Sequence, residues 1–144
     1  MDDRYHLARF VDAQDGVFDH ALAELRQGSK RGHWMWFLFP QIAGLGSSEL
    51  AKAYALSGLA EAKAYLDHPT LGPRIRAATD AMLLHAGKRS ADAILGGIDA
   101  LKFRSSMTLF ELGAEGEAAQ RFAAALDAFY GGERDERTRG ILGM

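Results

Sequence analysis

The sequence predicts an all-α fold, a single domain built as an irregular bundle of eight or nine helices. Three observations carry that prediction. The 144 residues are rich in alanine and leucine and poor in β-branched types, a composition that favours helices over strands. Only three prolines interrupt the chain, at positions 40, 69 and 73. Apolar residues recur at helical spacing in several windows, with no repeat and no Pro/Ser-rich linker between them.

The first helix is expected over residues 4–13, with Leu7, Phe10 and Val11 on one face. Asp15 stands where an N-cap for a second helix belongs. There Phe18, Leu22 and Leu25 repeat at the i, i+4, i+7 spacing of one buried stripe, and Gly28 stops the helix. Residues 34–39 are apolar on every side, so periodicity does not separate a short buried helix from a strand. Pro40 ends the segment either way. Gly44, Gly46, Ser47 and Ser48 form a flexible turn before a helix over 48–57.

Residues 59–67 read as another short helix, broken by Asp67-His68-Pro69-Thr70. Pro69 or Pro73 fits the first turn of the next helix, where a missing N–H costs nothing. Its stripe is Leu71, Ile75, Ala78 and Met82. Residues 90–95 form a short helix closed by Gly96-Gly97. Asp99 is placed to cap a longer helix reaching 112, whose middle (Lys102, Arg104, Ser105, Ser106) is unusually polar for an interior helix. Phe122, Leu126 and Phe129 mark a helix ended by Gly131-Gly132, and residues 135–142 form the last one. The charge run Glu133-Arg134-Asp135-Glu136-Arg137 reads as a solvated loop and helix start.

Composition excludes several function classes. There is no cysteine, so disulfides, thiolate metal sites and thiol nucleophiles are ruled out. Seventeen basic and nineteen acidic residues are interspersed, for a formal net charge of −2, which argues against a nucleic-acid-binding face. No stretch approaches the roughly 20 apolar residues of a membrane span. The opening Met1-Asp2-Asp3-Arg4 lacks a leader-type apolar region, so the cytoplasm is the expected compartment. The five histidines show no metal-ligand spacing, and no GxGxxG, GxxxxGK[ST] or GxSxG motif is present; no metal or cofactor is implied.

Two segments carry the chemistry. In the first, Lys30 to Gln41, both tryptophans of the chain lie two residues apart, flanked by a cation, an imidazole and an amide. Aromatic faces beside Arg or Lys suit a planar anionic ligand, through cation–π contact and charge-assisted hydrogen bonds. The alternative is that Trp34, Met35, Phe37, Leu38 and Phe39 simply pack in the core. In the second segment, Asp99, Lys102 and Ser106 fall at i, i+3, i+7, with Ser105 alongside. A lysine with hydroxyls one turn on suits phosphate, and an ordinary Asp–Lys surface pair explains the same pattern.

The phrases Leu7-Ala8-Arg9-Phe10-Val11-Asp12-Ala13-Gln14-Asp15, His33-Trp34-Met35-Trp36-Phe37-Leu38-Phe39-Pro40-Gln41 and Lys102-Phe103-Arg104-Ser105-Ser106-Met107-Thr108-Leu109-Phe110 resemble the bacterial DUF1810 family. So does the stretch from Glu61 to Arg74, and the resemblance runs from about residue 5 to residue 143. It implies an all-helical fold and no particular activity. A fainter likeness is to the NADAR group, linked to ADP-ribose and riboflavin-intermediate N-glycosidic chemistry. It rests on Ala64-Tyr65-Leu66, Leu71, Arg74 and Thr79-Asp80-Ala81-Met82-Leu83, followed by Asp99. Lys102-Phe103 stands where that group has a Trp-Gly phrase, and no catalytic residue carries over.

The functional expectation is a cleft for a small phosphorylated or nucleotide-like ligand. Arg31 and Lys102 would hold an anion and Trp34 or Trp36 would stack a ring. Gln41, Asp99, Ser105 and Ser106 would complete the binding set, with His33 as the near-neutral acid–base group if the site is catalytic. The competing expectation is a protein-interaction module presenting the Trp34–Phe39 segment as an exposed patch. Local nucleic-acid contact through Lys88-Arg89 and Arg74/Arg76 ranks third. Enzyme status and oligomeric state are left open by the sequence.

Overall fold

Ten helices follow one another along residues 3–144, the part of the chain described by the computed structural model. They are α1 (Ala8–Gln14), α2 (Phe18–Gln27), α3 (Met35–Leu38), α4 (Glu49–Ala53), α5 (Leu59–Asp67), α6 (Leu71–Leu83), α7 (Ala91–Leu95), α8 (Gly97–Gly113), α9 (Ala118–Tyr130) and α10 (Glu136–Ile141). Met1 and Asp2, which open the acidic N-terminus, lie outside the described residues. No strand forms among the described residues; Ile42 and Leu56 make one isolated parallel bridge.

Local chemistry accounts for the boundaries. Asp3 accepts hydrogen bonds from the amides of Leu7 and Ala8, so α1 starts later than the expected residue 4. Asp15 does not cap α2. Its backbone is extended and its amide closes α1 on the carbonyls of Val11 and Asp12; α2 begins at Phe18 behind Val17, with no side-chain cap. Gly28 and Gly131 end α2 and α9 in the left-handed region, at φ 78° and 61°, where glycine alone pays no Cβ penalty. The ambiguous apolar run resolves as the one-turn helix α3, the element that raises the count to ten. Asp99 does not cap α8 either: Gly96 holds the cap position and Asp99 lies in the first turn.

The buried residues form one contiguous cluster. α8 runs through it, packed by α5, α7, α9 and α10. Its inner stripe is Phe103, Ser106, Met107 and Phe110, spaced i, i+3, i+4, i+7, and all four are fully buried. Aromatic rings bind the layers together. Phe39 meets Phe103 edge-on at 4.9 Å, Phe10 meets Tyr65 at 5.1 Å, and Phe110 links Tyr65 at 5.3 Å to Phe122 at 5.7 Å. The expected stripe of α6, Leu71, Ile75, Ala78 and Met82, is wholly buried.

The polar middle of α8 has a structural purpose. Ser105 Oγ donates to Asp135 at 2.9 Å, and Thr108 Oγ1 accepts from the Asp135 amide at 2.9 Å, which docks α10 on α8. The charge run 133–137 is a loop and helix start as expected, with Glu133, Glu136 and Arg137 exposed, but two of its members are tied down: Asp135 is buried, and Arg134 grips Glu111 through two bonds of 2.9 and 2.6 Å.

Candidate functional site

The segment from Lys30 to Gln41 is held in place at three points. Glu24 on α2 accepts from the amides of Arg31 and Gly32 and from Trp34 Nε1, at 2.8, 2.9 and 3.0 Å. Burial raises the Glu24 carboxyl, but these three donors outweigh it and hold the group below its ordinary range. Further along, the Phe37 carbonyl accepts from Gln14 Nε2 at 2.8 Å and from the Tyr65 hydroxyl at 3.3 Å. Burial pushes the Tyr65 phenol upward, so it stays a neutral donor. The third point is ionic. Lys30 Nζ lies 5.1 Å from the Trp34 ring centroid and 2.8 Å from Asp99 Oδ2, while Asp99 Oδ1 lies 3.4 Å from Lys102 Nζ. Lys102 in turn sits over the Trp36 ring at 4.6 Å. One relay, Trp34–Lys30–Asp99–Lys102–Trp36, thus joins two segments some seventy residues apart.

Beyond Trp36 lies a hollow of about 510 Å³, within the range of small-molecule sites. One wall is the outer face of α8: Ile98, Leu101, Lys102 and Ser105, again at i, i+3, i+4, i+7. The opposite wall is Gln41, Leu45 and the Gly46–Ser48 turn running into Ala51 of α4. Arg104, Asp135 and Arg137 close the end. Three cations face one carboxylate there, and that carboxylate is engaged: Asp135 Oδ2 accepts from Ser105 Oγ, Thr138 N and Thr138 Oγ1. The cations are less so. Lys102 has the Asp99 carboxylate at 3.4 Å. The Arg104 guanidinium lies 3.9 Å from the Glu133 and Asp135 carboxylates and 5.7 Å from the Tyr130 ring centroid, and its buried Nε has no hydrogen-bond partner. Arg137 makes a single 3.3 Å bond to the Leu45 carbonyl.

The structure gathers part of the expected set. Trp36, Gln41, Lys102 and Ser105 line this hollow, and Asp99 orients Lys102 from behind. Trp34 does not reach it. Residues two apart on a helix point about 200° apart, so seating Trp34 in the core at 2% exposure turns Trp36 outward. Ser106 is likewise rotated away from Ser105, onto the inner stripe, where its buried hydroxyl has no partner. Arg31 and His33 are exposed and do not line the hollow that holds Lys102; Glu24 anchors their loop on α2. Of residues 34–39, only Trp36 and Phe37 keep partial exposure, so the segment is not an open apolar patch. Among the described residues no group of three His, Asp or Glu side chains is placed to hold a metal ion, and no helix is long and apolar enough to cross a membrane.

A family model for proteins of unknown function, DUF1810, matches residues 4–142. The chain belongs to the DUF1810 family. The crystal structure of the conserved hypothetical protein Rv1873 from Mycobacterium tuberculosis at 1.38 Å is 48% identical to this DUF1810 chain. Each chain is covered to 99%, with a TM-score of 0.93. No curated protein matches it.

Sequence reasoning left most residues of this DUF1810 hollow out of the expected site, Ile98, Leu101, Asp135 and Arg137 among them, and saw Arg104 only as a charge on the same segment. The signal was present for the first two. Ile98 and Leu101 repeat at helical spacing on the face opposite Phe103, and they remain 75% and 61% exposed. Two apolar stripes on one helix mark either a fully buried helix or a second surface in use.

The Glu24 anchor of the DUF1810 fold is testable. Glu24→Gln is expected to destabilise the protein by about 1–2 kcal/mol at neutral pH, because charge-assisted hydrogen bonds are weakened. Glu24 has a depressed folded pKa, so its contribution is present above the unfolded value of 4.5 and is lost as pH falls through the lower folded value. Denaturant titrations of both proteins should therefore converge as the pH is lowered from 4.5 through the folded value. A gap that stays constant from neutral pH to the acid end of the folded range would contradict the assignment.

Proposed function

We propose that this DUF1810 protein binds a small phosphorylated or nucleotide-like ligand in the hollow between α3, the 41–51 segment and α8. One observation carries the reading: Lys102, Arg104 and Arg137 converge on one concavity with most of their hydrogen-bond donors unspent. Guanidinium and ammonium groups with free donors recognise phosphate oxygens through charge-assisted bonds. The part-exposed Trp36 and the apolar rim of Ile98 and Leu101 supply a surface for a ring beside the anion. No histidine lines the hollow, and the reading is of binding rather than of catalysis.

A thermal-shift screen with inorganic phosphate, AMP, ADP and sugar phosphates tests it. A ligand present at a hundredfold its Kd stabilises by about 2.7 kcal/mol, which for a chain of this size raises Tm by roughly 5–10 °C. Lys102→Ala is expected to weaken binding at least tenfold, by the loss of a charge-assisted contact. The unliganded Tm should change little, because the Asp99–Lys102 pair at 3.4 Å is partly exposed. The proposal fails if no probe shifts Tm, or if the variant keeps the full shift.

A further inference from the structure

We infer that the ligand has three parts, a ring, a phosphate bridge and a polyhydroxylated group, the chemical class of the nucleoside diphosphate sugars. The inference rests on the reading of the first hollow as a phosphate-ligand site. Beside that hollow lies a second, of about 640 Å³, between the Arg104 end of α8 and the start of α10. The two adjoin across Arg104, Asp135 and Arg137, which line both. Each is of a size that holds one small molecule, so a ligand that occupies both lies across these three side chains.

The arginines separate by how far they are committed. Arg134 is spent on Glu111 and on the Gly132 carbonyl at 2.7 Å. Arg104, Arg137 and Arg139 are not. The nearest carboxylate oxygens to Arg104 are 3.9 Å away, and Arg139 has only Glu136 at 4.0 Å, whose side chain is 86% exposed. A guanidinium carries five donors in a fork that fits phosphate oxygens in pairs. Arg104 and Arg137 stand at the junction of the hollows, and the junction is where the phosphates belong.

The two compartments differ in chemistry. The first has the apolar rim that suits a ring. No large apolar side chain lines the second. There Glu136 lies 4.0 Å from Arg139 and Glu133 lies 3.9 Å from Arg104, so carboxylates stand among the arginines and the charges nearly balance. Carboxylates repel another phosphate and accept from hydroxyls, which selects a sugar-like group for that end.

Isothermal titration of the full chain with AMP, ADP and ADP-glucose decides the matter. ADP-glucose is expected to bind at least tenfold more tightly than AMP. Arg139→Ala, which touches only the second hollow, should cost ADP-glucose about tenfold and leave AMP within about twofold, as removal of one charged hydrogen bond does. Glu136→Gln, at a solvated position where folding is not at stake, should weaken ADP-glucose several-fold and spare AMP. ADP-glucose binding no better than AMP, or either variant weakening both ligands alike, overturns this inference alone. Silence of all three probes overturns the reading of the first hollow, and this inference with it.

Discussion

Phe103→Ala is expected to cost about 3–5 kcal/mol of stability and to lower Tm by roughly 10–20 °C. Phe103 is fully buried at the crossing of three elements. Its ring meets Phe39 at 4.9 Å after α3, and Phe129 and Tyr130 of α9 at 6.3 and 6.4 Å. Truncation removes the transfer energy of the ring and leaves a cavity bounded by other rings, which cannot collapse without moving whole helices. A functional consequence follows from position. Lys102 and Arg104 flank Phe103 in the chain, so the seating of its ring sets the rotation of α8 and with it the direction of both cations. Any ligand-induced Tm shift should shrink in the Phe103→Ala protein even well below its melting point. Chemical denaturation monitored through the two tryptophans measures the first effect. A loss below about 1 kcal/mol would show that the site relaxes freely, contrary to the packing described.

How much of this was legible in the sequence depended on range. Features set within a few residues were readable: the 59–67 helix, the α6 stripe, and the glycine stops at 28 and 131 follow from spacing and backbone conformation alone. Capping by Asp99 was misjudged because a carboxylate chooses among partners that the local sequence does not reveal. The Asp99 carboxylate goes to Lys30, 69 residues earlier in the chain, and to Lys102. The polar middle of α8 looked like a site because its partner, Asp135, lies 30 residues past Ser105. α8 is also flanked on most sides, and burial on most sides erases the one-faced apolar pattern by which helices are read. Part of the candidate site was recovered because Trp36, Gln41 and Lys102 are chemically conspicuous. Arg104 and Arg137 were not, since nothing in a sequence distinguishes a surface arginine with spent donors from one with free donors.

Asp135→Ala is expected to destabilise the protein by about 3 kcal/mol and to undock α10. One carboxylate oxygen of Asp135 accepts from the Ser105 hydroxyl, the Thr138 hydroxyl and the Thr138 amide, and the residue is the N-cap of α10. Alanine removes the cap, worth about 1 kcal/mol, and strands the buried Thr138 hydroxyl, at about 1–3 kcal/mol, while Ser105 keeps only its bond to the Leu101 carbonyl. Hydrogen exchange should show the amides of residues 136–141 losing protection before the rest of the chain does. Asp135→Asn separates the structural role from the electrostatic one. Its carbonyl oxygen can keep the Ser105 and Thr138 bonds, so the stability loss should be smaller. The negative charge facing Arg104 at 3.9 Å is gone, however, and the hollow becomes more cationic. Phosphate-bearing probes should then bind the Asn variant more tightly than the native protein, and the Ala variant more weakly. If both variants weakened binding equally, Asp135 would matter to the hollow only as a peg for α10. If the Ala variant melted within about 2 °C of the native protein, even that role would be lost, because a cap and a buried, unpaired hydroxyl cannot together be worth so little.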